Sequence, residues 1–259
     1  ARSAGSFGSV TVGRRLTGTP RGWLRTVYIL LRTLYVVKGF AMIVDEMSST
    51  TPREPLQRDR IIVAAVELAD RDGVEALSMR NLARSLGFEV MSLYNHVANK
   101  DELLSLMVDA VAAEITAPPP DVAPLAAVRA LTISTYDAFV LHPWAPSLWL
   151  RYLPGPARTR QMDDLLRLFD QSGLSPELAH HGFHAVSNHV LGYTLQQLGL
   201  NMGDDPEARA NEFLAGISQT DHPHMVAHVQ QHLAGDTSSS FELVLDLILD
   251  GLVRLDAER

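Results

Sequence analysis

The chain has 259 residues, of which 46% are hydrophobic and 20% charged, which is enough to bury a substantial core and excludes disorder over most of its length. It contains no cysteine, which excludes disulfides, thiolate nucleophiles and cysteine-ligated metal sites and fits a reducing cytoplasm. The net charge of −8 argues against a protein that coats nucleic acid by bulk electrostatics, so any DNA contact must come from a few placed basic and polar groups.

Residues 1–52 carry seven Lys/Arg against two Asp/Glu and are predicted to be a leader or non-native extension that is poorly ordered. The run from Trp23 to Val44 is the most apolar in the chain, but three basic residues interrupt it, which argues against a membrane span. A twin-arginine export signal at Arg14-Arg15 is an alternative, although no clear small-residue cleavage site follows. Met47 opens a polar run and is the predicted natural start.

The first predicted helix follows Leu56 and keeps apolar residues at helical spacing until Gly73, a residue type that commonly follows the end of a helix. A short second helix is predicted over 79–86. Ser78 has the side chain of an N-terminal cap for this helix, and Gly87 is expected to end it.

A third short helix is predicted over 90–97, with Leu93 and Val97 on one apolar face. Asn99 and Glu102 have the spacing of a capping box, so a longer fourth helix is expected to begin there. Two short helices joined by a tight turn and flanked by supporting helices form a helix-turn-helix, whose second helix enters the major groove of DNA. The spacing alone is a weak signal, because a helical hairpin in any bundle would produce it.

The residues of this segment are more specific than their spacing. The run 77–104, LSMRNLARSLGFEVMSLYNHVANKDELL, resembles the DNA-binding domain of the TetR (tetracycline repressor) family, and the likeness extends over residues 58–110. The resemblance implies an all-α fold, with an N-terminal three-helix helix-turn-helix domain at 53–116 and a C-terminal helical ligand-binding and dimerisation domain at 121–259. The pattern that carries it is Gly87, Leu93-Tyr94, His96-Val97, Asn99-Lys100 and Leu103-Leu104.

The resemblance also implies which residues contact DNA. Tyr94 offers a hydroxyl to a phosphate and a ring to a sugar or a thymine methyl group. His96 and Lys100 are assigned to phosphates, and Arg80 to guanine or a phosphate. For each residue the alternative is an ordinary surface or boundary side chain. The predicted DNA-binding residues are Arg80, Met91, Ser92, Tyr94, Asn95, His96 and Lys100.

The segment departs from the family pattern at Glu89, where many members carry a Ser or Thr cap. It also departs at Val90 and Met91, whose side chains cannot form hydrogen bonds. Base reading is therefore expected to rely partly on apolar contact with thymine methyl groups. These departures affect the expected operator specificity rather than DNA binding itself.

A second group of helices is predicted after residues 117–121, where three consecutive prolines mark a domain boundary. Ser175, Pro176 and Glu177 have the residue types of a cap, a first-turn proline and a first-turn acid. No alternating strand pattern competes with helix. The predicted helices are 124–141, 147–153, 157–171, 176–200, 207–217, 224–234 and 241–256, the last preceded by Ser239 at capping-box spacing from Glu242.

The segment 182–197 also resembles the dimer-forming helix of the tetracycline repressors' C-terminal domain. In an ungapped alignment, Trp149 and Gln196 occupy the positions of their metal-coordinating His and Glu, so the resemblance does not extend to magnesium–tetracycline recognition. We expect instead an apolar cavity with a few polar anchors, although aromatic residues at helical spacing are also typical of a plain core. The predicted ligand-binding residues are Trp144, Trp149, His184, His189, Tyr193 and Gln196.

Nine of the ten histidines lie in the second predicted domain, with His180 four residues from His184 and a stripe at 224, 228 and 232. This spacing places imidazoles on one helical face, where a metal site is one hypothesis. Polar or interfacial histidines are the favoured hypothesis, because no HExxH-type motif and no cysteine completes a ligand set. The sequence also contains no P-loop, dinucleotide fingerprint or G-x-S-x-G elbow, which argues against an enzyme.

The sequence therefore predicts a cytoplasmic homodimeric transcriptional regulator without enzymatic activity or cofactor. We expect a repressor that binds double-stranded operator DNA, has no membrane partner and is released by a small-molecule effector. The apolar helices 176–200 and 241–256 are expected to form the dimer interface, so a charge at Leu249 should break it. The alternative is a metal-responsive or metal-binding histidine-rich helical protein.

Overall fold

The computed structural model describes residues 55–199, 205–234 and 240–259, so the predicted leader and Met47 lie outside the described residues. The described residues contain α-helices and no strand, which confirms the predicted all-α fold. None of these helices is long and apolar enough to cross a membrane. The helices are α1 (Arg58–Asp72), α2 (Met79–Leu86), α3 (Val90–Tyr94), α4 (Lys100–Ala113), α5 (Pro124–Leu141), α6 (Ala145–Leu148), α7 (Pro156–Asp170), α8 (Pro176–Gly199), α9 (Pro206–Gly216), α10 (Pro223–Leu233) and α11 (Ser240–Ala257).

The predicted caps of α2 and α4 are confirmed. The Ser78 hydroxyl accepts a hydrogen bond from the backbone N–H of Asn81 at 3.1 Å, and Gly87 ends α2 in the left-handed conformation that glycine adopts readily. The Asn99 side chain accepts from the N–H of Glu102 at 2.8 Å, while the Glu102 carboxylate accepts from the N–H of Ala98 at 2.6 Å. The Asn99 side chain therefore caps α4 as predicted, whereas the Glu102 carboxylate binds the N–H of the residue before the cap rather than that of Asn99 as in a standard capping box.

The third helix is shorter than its apolar spacing predicts, because α3 ends at Tyr94 rather than at Val97. The N–H of Val97 still donates to the carbonyl of Leu93 at 3.0 Å, so one further turn follows the helix. This turn keeps Leu93 and Val97 buried together. They share a core with residues of α1, α2 and α4, among them Ile61, Ala65, Leu82, Leu103 and Met107.

The short helix predicted at 147–153 forms earlier, at α6, and this prediction was wrong in position. Pro146 lies in the first turn of α6, where its missing N–H costs nothing. After α6 the carbonyls of Trp149 and Tyr152 accept hydrogen bonds from the buried guanidinium of Arg158. These contacts come from a residue on α7 and have no local sequence signal.

The C-terminal helix α11 packs against α8 and α5. Arg129 on α5 pairs with Glu242 at 2.8 Å and with Asp246 at 2.5 Å. Leu249 is only 7% exposed and belongs to the subunit's own core, so the expectation that a charge at Leu249 reports on dimerisation is wrong. Leu243 and Leu247 lie on the opposite, exposed face of the same helix. Ser239 of the predicted capping box lies outside the described residues.

Candidate DNA-binding surface and effector cavity

The second helix of the helix-turn-helix presents two hydrophobic side chains to solvent. Met91 is 70% exposed and Tyr94 is 41% exposed, whereas Leu93 between them is fully buried. One side of α3 therefore faces the core, and the other side is exposed and available for contact with another molecule. Apolar and aromatic side chains on such a helix fit thymine methyl groups and sugars in a major groove.

The basic residues around this surface differ in how they are paired. Arg58 on α1 forms an ion pair with Glu102. Arg80 and Lys100 are exposed, and within the described part of the chain neither forms an ion pair. Their charges are therefore available to phosphates, which is the role predicted for them.

The remaining predicted DNA contacts lie on or just after α3. Ser92 and His96 are partly exposed, and Asn95 is exposed. Glu89 occupies the N-cap of α3 without a side-chain cap hydrogen bond, consistent with its departure from the family pattern. Together with Arg80, Met91, Tyr94 and Lys100 these residues stay predicted DNA contacts.

A cavity of about 400 Å³ lies between α5, α7 and α8 and the segment that joins α6 to α7. This volume is within the range of small-molecule sites. Its apolar wall includes Phe139, Trp149, Leu165, Phe183 and Val190. Polar groups on the same wall are Thr135, Arg158, Gln161, His184, Ser187 and Asn188. An apolar enclosure with a few polar groups suits an organic ligand of moderate size.

Two of the six predicted ligand-binding residues, Trp149 and His184, line this cavity. Trp144 does not line it; this side chain is buried and its indole N–H donates to Asp70 at 2.8 Å. The other three predicted residues also lie outside the lining. They are His189, Tyr193 and Gln196.

His189 and Tyr193 surround Phe241 at the start of α11. The His189 ring stacks on the Phe241 ring with centroids 4.6 Å apart, and its Nε2 lies 2.9 Å from the Phe241 carbonyl oxygen. Tyr193 meets the same ring edge-on. In the structure these aromatic residues therefore hold α11 against α8, and Gln196 is exposed beyond them.

Sequence reasoning missed Arg158, whose side chain is only 4% exposed and lines the cavity. Its backbone N–H donates to the Asp109 carboxylate on α4 at 2.9 Å, and the N–H of Ala157 donates to the other carboxylate oxygen at 3.1 Å. An acid from α4 thus caps the N-terminus of α7. A Cβ at Gly155 would lie 2.4 Å from Cγ of Asp109, so this approach requires glycine.

Three ionisable residues that are far apart in the sequence contact one another in the structure. His142, at the end of α5, is fully buried, with Nδ1 2.8 Å from Asp70 on α1 and Nε2 3.0 Å from Glu114 after α4. Burial by itself would lower the pKa of His142, but the hydrogen bonds to Asp70 and Glu114 outweigh it and raise the pKa to about 9. The imidazole is therefore a cation at neutral pH, held between two carboxylates.

His180 and His184 are neighbours on α8. The rings of His180 and His184 pack edge-on with centroids 4.7 Å apart. Across the described side chains, no group of three or more His, Cys, Asp or Glu residues has an arrangement that suits a metal ion. The side chain of His232, in the predicted stripe, lies outside the described residues.

Comparisons with known proteins agree with this architecture. Residues 61–107 match the family "Bacterial regulatory proteins, tetR family", and residues 125–255 match "Tetracyclin repressor-like, C-terminal domain". Both matches lie inside the predicted domains 53–116 and 121–259, whose limits stay predictions.

The chain is 33% identical to the "HTH-type transcriptional repressor DrrR1" of Streptomyces coeruleorubidus over 224 residues, which cover 82% of each protein. It is 30% identical over 149 residues to the "Tetracycline repressor protein class E" of Escherichia coli, covering 56% of this chain and 71% of that protein.

Among solved structures, the chain resembles the Streptomyces coelicolor TetR family protein ActR in complex with (S)-DNPA. The TM-score is 0.65 and the identity 31%, over 78% of this chain and 100% of that one. ActR in complex with actinorhodin gives a TM-score of 0.62 and 33% identity, over 78% and 98% of the two chains. The helix-turn-helix, the helical C-terminal domain and these relatives together show that this chain belongs to the TetR family of DNA-binding transcriptional regulators, which are not enzymes.

Proposed function

We propose that this protein is a cytoplasmic homodimeric repressor that binds operator DNA through α3 and leaves it when a small molecule fills the cavity between α5, α7 and α8. The observation that carries the proposal is the position of α4. Its residues Leu103 and Met107 belong to the core beneath the helix-turn-helix, while its Asp109 caps the cavity helix α7. One rigid helix therefore contacts both the DNA-binding and the effector-binding parts, and it supplies a physical route between them.

The relatives support the effector half of this proposal. ActR has been solved with (S)-DNPA and with actinorhodin, so a protein of the same fold takes up organic molecules. DrrR1 is described as a repressor, which supports the sign of regulation. Trp149 and His184, two residues predicted from sequence to bind the ligand, line this cavity, which supports the proposal.

The exposed face of α11 supports dimerisation. Leu243 and Leu247, four residues apart on one face, are large hydrophobic residues left in solvent by the subunit's own packing. A Cβ at Gly251, one turn after Leu247, would also meet no atom within 4 Å, so the surface is open at this point. A second copy of the same face would bury this surface and form the paired-helix interface that a two-fold operator requires.

The proposal is tested with the full chain and a pool of random DNA duplexes. Repeated selection of bound duplexes should enrich an inverted repeat, and fluorescence anisotropy should show that one dimer binds one repeat. A pool that yields no enriched sequence would contradict operator binding. A parallel zinc titration tests the alternative function. Binding of zinc in stoichiometric amounts, without enrichment of any DNA sequence, would support a histidine-rich metal-binding protein instead.

A further inference from the structure

We infer that the effector of this protein is an organic acid: an apolar, ring-containing molecule whose anionic oxygen binds the guanidinium of Arg158 in the cavity between α5, α7 and α8. The inference deepens the proposed effector function and rests on it, because it concerns the same cavity. It names the chemical class of the ligand and the residue that selects it.

The first step is the position of the guanidinium. Arg158, Gln161, Met162 and Leu165 recur at helical spacing along α7, and all four line the cavity. The Arg158 side chain is therefore on the cavity face of α7 although it is almost completely buried. It donates to the carbonyls of Trp149 and Tyr152. A guanidinium has five N–H donors, so these two contacts do not exhaust it.

The second step is charge. Among the described residues, no carboxylate forms an ion pair with Arg158, and the lining of the cavity contains no Asp or Glu. Asp109, the acid whose charge acts on Arg158, directs its two oxygens at the backbone N–H groups of Ala157 and Arg158 instead of at the guanidinium. Burial lowers the pKa of Arg158, with Asp109 as a smaller opposing influence. A buried cation without an anionic partner is costly, and an anionic ligand oxygen would offset that cost.

The third step is the shape of the surrounding wall. The Trp149 ring lies beneath the guanidinium, with Cζ of Arg158 5.4 Å from the ring centroid. Phe139 meets the same indole edge-on, with centroids 4.7 Å apart. A ligand with its acid group at Arg158 would therefore place its body against aromatic faces, which favours rings or a flat apolar skeleton.

The competing explanation is that Arg158 only fastens the turn between α6 and α7 through its two carbonyl contacts. The two explanations differ in one measurable property. A purely structural arginine affects the binding of charged and neutral ligands alike, whereas an anion-binding arginine affects only the charged ligand.

The experiment compares acids with their neutral amides. Benzoate, naphthoate and anthracene carboxylate are each titrated beside the corresponding carboxamide into the full chain by calorimetry. We expect at least one acid to bind about tenfold or more tightly than its amide, the effect of a charge-assisted hydrogen bond in a buried site. Arg158→Gln should remove this preference, and Arg158→Lys should retain part of it.

The matched control is Arg160→Gln, which neutralises an exposed arginine on the same helix and should leave the preference unchanged. The comparison of acid and amide in the unaltered protein does not depend on the folding of any variant. The inference is overturned if amides bind as tightly as acids, if no acid of the series binds, or if folded Arg158→Gln keeps the preference.

Operator release is measured separately, so the two proposals fail in different ways. A neutral amide that binds better than its acid and releases DNA would leave the proposed function standing and overturn the acid site. An acid that binds through Arg158 without affecting DNA binding would support the acid site and contradict the proposed effector function.

Discussion

His142 lies 2.8 Å from Asp70, through Nδ1 and Oδ1, and this pair joins the end of α5 to α1 beneath the helix-turn-helix. The indole N–H of Trp144 donates to the same carboxylate oxygen at 2.8 Å, and Glu114 accepts on the other side of the imidazole at 3.0 Å. The buried His142 cation of the C-terminal part therefore contacts carboxylates at the ends of two helices of the DNA-binding part, α1 and α4. Removing one partner of such a pair leaves the other buried without compensation, so the pair is sensitive to substitution.

We expect the stability of the protein to depend on pH through His142. Its pKa is raised from 6.5 to about 9, so folding favours the protonated form. The stabilisation, about 3 kcal/mol, is fully present below pH 6.5 and is lost as pH rises towards about 9. The free-energy difference between the unaltered protein and His142→Phe, from urea unfolding, should shrink over that range.

The control for this prediction is His222→Phe, which replaces an exposed histidine by the same residue. It should leave the pH dependence unchanged. A His142→Phe difference that is constant between about pH 6 and about pH 9.5 would show that His142 is not held as a cation.

Lys100→Ala should weaken binding to all DNA sequences alike. Lys100 is exposed, and the described residues give it no ion-pair partner, so its charge is free to neutralise a phosphate. Loss of one phosphate contact should reduce the slope of log K against log salt by about 0.9 per subunit. Anisotropy titrations over a range of salt measure the slope. Arg167→Ala, which removes an arginine paired with Asp164, is the control and should leave the slope unchanged.

Tyr94→Ala should weaken operator binding by about 1–3 kcal/mol and relax the base preference at one position, because its exposed ring is predicted to touch a base or sugar. Tyr94→Phe removes only the hydroxyl and should keep the base preference while losing a phosphate contact. Selection from random duplexes with each variant distinguishes ring from hydroxyl. Wild-type affinity and preference in both variants would mean that α3 does not enter the groove.

Leu247→Glu should dissociate the proposed dimer while leaving the subunit folded. Leu247 is 63% exposed on the outer face of α11, whereas Leu249, two residues on, is in the core. Sedimentation should therefore show a folded Leu247→Glu monomer, and circular dichroism should show that Leu249→Glu is strongly destabilised by its buried charge. A Leu247→Glu protein that remains dimeric at micromolar concentration would place the interface elsewhere.

The sequence alone determined the local features of this protein. Ser78 and Asn99 act as caps because a short polar side chain needs only a backbone N–H three residues away. Leu93 and Val97 share a buried face because their spacing matches the helical repeat. The motif around Gly87 and Tyr94 was sufficient for the family, since the helix-turn-helix is built from contacts between neighbours in the chain.

Tertiary structure alone decided the features that depend on distant partners. His142 and Asp70 are 72 residues apart in the sequence, and Arg158 and Asp109 are 49 residues apart. Which leucine of α11 faces the core depends on the rotation of that helix against α8, because its residues are apolar on both sides. Helical periodicity specifies which residues share a face, but it carries no information on which helix that face meets. The cavity and its buried arginine therefore emerge only when α5, α7 and α8 pack together.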